Sequence, residues 1–152
     1  MSSKVVKTLR EAIVLSGLRS GMTVSFHHHL RNGDFVLNMV MDEIAALGVR
    51  ELTVNASALF DTHAPILEHI RNHVVRKIQT NYISAGVGRE ISAGILEQPV
   101  DFRTHGGRPR DIELGLTPID VAFVAAPCSD PMGNCTGKRG KSACGSLGYA
   151  FP

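Results

Sequence analysis

The chain has 152 residues, 43% of them hydrophobic and 20% charged, with a formal net charge of +2. That length suits one domain with a real core and is short for two, and this balance of apolar and charged residues excludes a disordered chain. No apolar run reaches the length of a bilayer, and the densest basic stretch, Lys138-Arg139-Gly140-Lys141, is too short for a nucleic-acid footprint, so neither a membrane nor a nucleic acid is expected as partner.

Taken in chain order, helix and strand signals alternate. Val5, Leu9, Ala12 and Ile13 share one face of a helix predicted over Val5 to Ser16, with Gly17 as its C-cap. The turn residues Ser20-Gly21 precede a short apolar strand, Met22 to Phe26. A polar loop, His27 to Gly33, leads to a helix that Asp34 is placed to cap and Gly48 to end. In it Val36, Val40, Ile44 and Leu47 recur at helical spacing, and Asn38 and Asp42 are expected to face away. Strands are predicted at Leu52 to Asn55, Val74 to Gln79, Val100 to Arg103 and Ile119 to Ala125. Between them come a short helix opened by Pro65 and running to Asn72, and another over Arg89 to Leu96.

Single strands alternating with single helices predict an α/β fold, a largely parallel sheet flanked by helices on both faces. Residues 1–126 are read as its core. The stretch 127–152, rich in Gly, Ser, Cys and Pro, lacks periodicity and is longer than the structureless loops of compact domains, so it reads as a tail that continues into something longer. Cys128, Cys135 and Cys144 are odd in number and lack Cys-x-x-Cys spacing, and the N-terminus has no signal-peptide core. Reduced thiols and a cytoplasmic location are expected.

Open parallel sheets bind ligands outside the carboxyl ends of their strands, so the loops after strands hold the candidate site. The first is His27, His28, His29, Arg31, Asn32 and Gly33, cationic and donor-rich at a helix N-terminus, suited to a carboxylate or an oxyanion or equally a plain polar loop. The second is Thr104 to Arg110, in which Gly106 and Gly107 permit close backbone approach and Arg108 and Arg110 are suited to the carboxylates of a polycarboxylate. Read from these residues alone, a plain tight turn with surface arginines is the preferred reading. Gly137 to Ser142 fails as a phosphate loop, because Cys135 stands where the first glycine should be. His27 and His29 lack a third metal ligand, so no metal is expected, and His69 and His73 are read as a solvated helix face. No carboxylate pair or Ser/His/Asp arrangement is legible.

Several stretches together resemble one family. They are Gly21 to His29, Arg31 to Asp34, Val36 to Ile44, His63-Ala-Pro65 with Glu68-His69-Ile70, His105 to Arg108, Ile119 to Phe123, and Gly140 to Ala150. In register over nearly the whole chain they resemble the citrate lyase α chain, a relative of the family I CoA-transferases. Departures are the order Cys128-Ser129, the charged pair Lys138-Arg139, and a loose match around Ile83 to Arg89.

The resemblance implies the first, CoA-transferase-like domain of a subunit that is truncated here at its C-terminal end. That subunit exchanges the acetyl group on an acyl carrier (γ) subunit for citrate, and a β subunit then cleaves the citryl thioester to oxaloacetate and acetyl-carrier. The implied cofactor is the carrier's CoA-derived prosthetic group, with none bound covalently by this chain. A family glutamate attacks the acetyl thioester, and its position is expected beyond this chain, so no catalytic residue is named. His27 to Gly33 would form a wall of the acyl site and His105 to Arg108 a citrate clamp. Ser142, Ala143, Cys144 and Gly145 would lie near the prosthetic group. Arg108→Ala is expected to weaken citrate use with little loss of folding. The chain alone is expected to be inactive, the alternative being a non-catalytic anion-binding or docking module of the lyase complex.

Overall fold

The computed structural model describes residues 3–28 and 32–140. Its centre is a five-stranded sheet in the order β4-β3-β2-β1-β5. The strands are β1 (Thr23–His27), β2 (Leu52–Ala56), β3 (Val75–Thr80), β4 (Asp101–Phe102) and β5 (Val121–Val124), and every pairing is parallel. The helices between them are α1 (Leu9–Leu15), α2 (Val36–Ala46), α3 (Ile66–Arg71), α4 (Ala85–Glu90) and α5 (Gly107–Glu113). A 3-10 turn, Asp61–His63, precedes α3, and a π turn, Ile91–Ile95, extends α4.

Alternation along each strand separates the two faces of the sheet. Val24 lies opposite Val54 and Val121, Phe26 opposite Ala56 and Phe123, and Val54 opposite Ile78. This face is buried under α2, whose Leu37, Val40, Met41 and Ile44 belong to the same core. The opposite face carries a polar row in register, Ser25, Asn55, Gln79 and Asp101, and α5 lies over it through Arg108. Helices thus stand on both faces, but only one interface is an apolar core.

Local chemistry explains where the elements depart from the sequence pattern. Helix α1 starts at Leu9, not Val5, because the Thr8 hydroxyl accepts from the Glu11 amide and caps it there, while Glu11 Oε2 takes the Lys7 N–H. Val5 is left 67% exposed. Asp34 does accept a helix-terminal amide, that of Val36 at 2.9 Å, with Phe35 at the N-cap position. Asn38 does not face away: it is 9% exposed and its amide donates to the Thr62 carbonyl at 2.9 Å. His69 is buried rather than solvated, with Nε2 3.1 Å from Asp42 Oδ1, whereas His73 is exposed.

The helix expected over Arg89 to Leu96 begins instead at Ala85. Two glycines in its first turn lower its propensity and hide it from the pattern. Gly86 is there for contact, since a Cβ would lie 2.8 Å from Asp61 Oδ1, the atom that accepts from Ser84 Oγ. Helix α5 lies where a loop was expected. Thr104 caps it, its hydroxyl accepting from Gly107 N and its carbonyl from Arg108 N, and Pro109 sits in the first turn, where no N–H is needed.

Glu51 and His73 hold left-handed backbone, φ 60° and 55°, and the Glu51 N–H donates to the His73 carbonyl at 3.0 Å. A side chain in that conformation costs about 1–2 kcal/mol, which glycine's larger unfolded-state entropy partly offsets. Glu51→Gly is therefore expected to leave stability unchanged or raise it by up to about 1 kcal/mol in urea unfolding, where glycine inside a helix would lower it by a similar amount.

Candidate functional site

Parallel pairing brings the carboxyl ends of β1 to β4 to one edge of the sheet, and the segments leaving them line a cleft of about 340 Å³. His28 follows β1, Ser57 and Phe60 follow β2, Asn81 and Tyr82 follow β3, and Arg103, Thr104 and His105 follow β4. The Asn81 amide ties two of these exits together by donating to the carbonyls of Arg103 (3.0 Å) and Thr104 (2.6 Å). Phe60 is the hub of the floor. It meets the His28 ring edge-on at 4.9 Å and Tyr82 at 5.4 Å, and His27 stacks on His28 at 5.3 Å.

The electrostatics of this edge are cationic. Burial pushes the His27 imidazole down to about 4, with His28, Arg108 and His105 adding to the shift and Asp34 opposing it. His27 is therefore neutral at pH 7, and three basic side chains stand near enough to disfavour its protonation. Such a cluster attracts an anion, and an anionic ligand would in turn raise the pKa values around it.

Beneath the cleft, Arg108 is 5% exposed. Its Nε donates to Asn55 Oδ1 at 2.7 Å and its Nη2 to Ser25 Oγ at 2.8 Å. Burial lowers its pKa to about 10, so the charge persists at neutral pH. Asn55 donates onward to Gln79 (3.2 Å), and Gln79 to Asp101 (3.4 Å). Arg103 closes the row by pairing with Asp101 and, at 2.8 Å, with Asp111 of α5.

Of the residues singled out from sequence, His27, His28 and His105 come together here. Gly106 and Gly107 open α5, and a Cβ on Gly107 would sit 2.8 Å from Thr104 Oγ1. Gly33, at φ 88°, presses against Thr62 and His63, and Asn32 adjoins it, exposed. Arg108 is the correction: it is no surface arginine, because Ser25 and Asn55 offer it acceptors inside the fold. His29, Arg31 and Ser142 to Gly145 lie outside the described residues. Sequence reasoning missed Phe60, Asn81, Tyr82 and Arg103. The rule that ligands sit after strands pointed to the loops holding Phe60, Asn81 and Tyr82, but those loops carry no cationic or glycine cluster to single them out, and Arg103 is placed inside its strand by the sequence pattern.

A larger hollow of about 560 Å³ lies between α4, the π turn and β4, lined by Ile83, Ile91, Val100 and Phe102 with Arg89 beside them. It gathers little chemistry, and the smaller cleft is the better candidate. Among the described residues, no three of His, Cys, Asp or Glu are grouped to hold a metal ion, and no helix is long and apolar enough to cross a membrane.

The burial of Arg108 revises the expectation of little loss of folding. Arg108→Met removes two donors and leaves Ser25 and Asn55 buried with lost partners, which costs about 1–3 kcal/mol. Urea unfolding is expected to show that loss, and an unchanged midpoint would mean the arginine is not held as described.

Comparison with known proteins places the chain in a family. The family model for citrate lyase, alpha subunit (CitF), matches residues 2–151. Citrate lyase alpha chains from Haemophilus influenzae, Klebsiella pneumoniae and Escherichia coli are 52%, 51% and 50% identical over 97% of this chain. A solved structure described as the alpha subunit of citrate lyase from Streptococcus mutans, in complex with citrate, superposes with a TM-score of 0.92 at 49% identity, covering 97% of this chain. In each case the match covers 29% of the relative, so this chain spans under a third of the length of those proteins. With the family model matched from residue 2 to residue 151 and relatives at half identity, the chain belongs to the citrate lyase alpha subunit family.

Proposed function

We propose that the cleft at the carboxyl ends of β1 to β4 is one wall of a citrate site, in a subunit that transfers citrate onto an acyl carrier in exchange for acetyl. The observation that carries this reading is the convergence of His28, Arg103 and His105 on one cleft, with Arg108 charged beneath it. Citrate is polyanionic at neutral pH, and guanidinium and imidazole donors are suited to its carboxylates. Phe60 and Tyr82 give its methylene carbons an apolar floor. The citrate bound in the Streptococcus mutans relative supports the same ligand class.

In this reading the wall binds and orients. The CoA-derived group on the γ subunit would supply the thioester, and a carboxylate of the family would serve as its nucleophile. No glutamate of this chain is assigned that role, and backbone N–H groups of the cleft would help stabilise the oxyanion. Ser142, Ala143, Cys144 and Gly145 are proposed to lie near the prosthetic group. The β subunit would cleave the citryl thioester afterwards, in the cytoplasm. The chain by itself would bind citrate without turning it over.

Calorimetric titration of the 152-residue chain tests the binding half. Citrate is expected to bind, and His28→Ala and His105→Ala each to weaken it by about tenfold, the worth of one charge-assisted hydrogen bond, with the melting temperature unchanged. No binding by the wild-type chain, or equal affinity in both variants, contradicts the reading.

A further inference from the structure

A neutral imidazole carries one donor and one acceptor, and its neighbours decide which nitrogen is which. His63, 2% exposed, has neighbours that leave no choice. The Phe60 backbone N–H points at Nδ1 from 3.1 Å. An amide can only donate, so Nδ1 must be the bare acceptor. Nε2 lies 3.0 Å from the Asp34 carbonyl, which can only accept, so Nε2 carries the proton. Burial lowers the pKa of His63; Asp34 opposes this and His28 adds to it. A second proton would set an Nδ1–H against the Phe60 N–H, donor against donor.

These two bonds join different parts of the fold. Phe60 belongs to the exit of β2 and floors the cleft, whereas Asp34 ends the histidine-bearing connection from β1 to α2. The packing is tight on the same side. A Cβ on Gly33 would fall 2.8 Å from His63 Cε1 and 2.6 Å from Thr62 Cγ2. Asn38 of α2 also donates to the Thr62 carbonyl. We propose that His63 is a positioning residue: its neutral Nε2–H imidazole clasps Asp34, before α2, to Phe60 and so holds the Phe60 ring where it meets His28 at the cleft. Its consequence for citrate rests on the site reading above, while the clasp itself does not.

The test is nitrogen NMR on the imidazoles of the 152-residue chain, with His63→Ala and His63→Gln as variants. His63 is expected to show a protonated Nε2 and a bare Nδ1 at neutral pH, keeping that state well below the ordinary histidine range. His63→Ala is expected to move the amide signals of Asn32, Gly33 and Asp34 and to weaken citrate by about tenfold, whereas glutamine, which keeps a donor and an acceptor, should stay within about threefold of wild type. A protonated Nδ1, or an alanine variant with unmoved loop amides, overturns the proposal. If the alanine variant does not fold, the nitrogen pattern and the glutamine variant decide. Should wild type bind no citrate, the site reading fails, and the clasp is judged on the nitrogen pattern and loop amides alone.

Discussion

Ser25, Asn55, Gln79 and Asp101 stand side by side across four parallel strands, and the arrangement of the site depends on that register. Parallel pairing keeps registered residues on one face, so a slip of one residue in β1, β2 or β3 would turn a polar side chain into the apolar core and an apolar one out of it. In register, the row passes hydrogen bonds from Asn55 to Gln79 to Asp101 and presents acceptors to two arginines. Arg108 takes Ser25 and Asn55, and Arg103 takes Asp101. Both arginines tie α5 and the exit of β4 to the sheet. The polar face therefore anchors what the apolar face cannot, which is the charged edge of the cleft.

That division of labour explains how much the sequence shows. The strands are visible because each is a short apolar run after a turn, and the β2 and β3 sites fall within a residue of expectation. Helix α2 is visible because its apolar stripe faces a true core. Helix α5 is not, because it packs by hydrogen bonds against Ser25 and Asn55 and so shows no apolar periodicity. The same cause hides Arg108 in the sequence, where an arginine beside two glycines reads as surface. Asn38 and His69 are misread likewise, since each is buried by a partner distant in sequence, Thr62 and Asp42.

Histidines dominate the site, and burial gives them different tasks. His27 is held neutral by desolvation and by its basic neighbours. His63 is held neutral by burial, and its two backbone partners of opposite kind fix which nitrogen carries the proton. His28 and His105 reach the cleft itself. An edge built this way keeps its fixed positive charge on arginines braced by the sheet, and leaves two imidazoles facing the cleft. The family resemblance expected from the histidine run and the His105-Gly-Gly-Arg108 block is shown by relatives at half identity. Local physics, in contrast, placed only loops suited to anions.

The most direct measurement is a crystal structure of the 152-residue chain grown with citrate. The account predicts citrate at the carboxyl ends of β1 to β4, with carboxylates within hydrogen-bond reach of His28, Arg103 and His105. Citrate seated in the hollow beside Arg89, or absent from the cleft at saturating concentration, would contradict it.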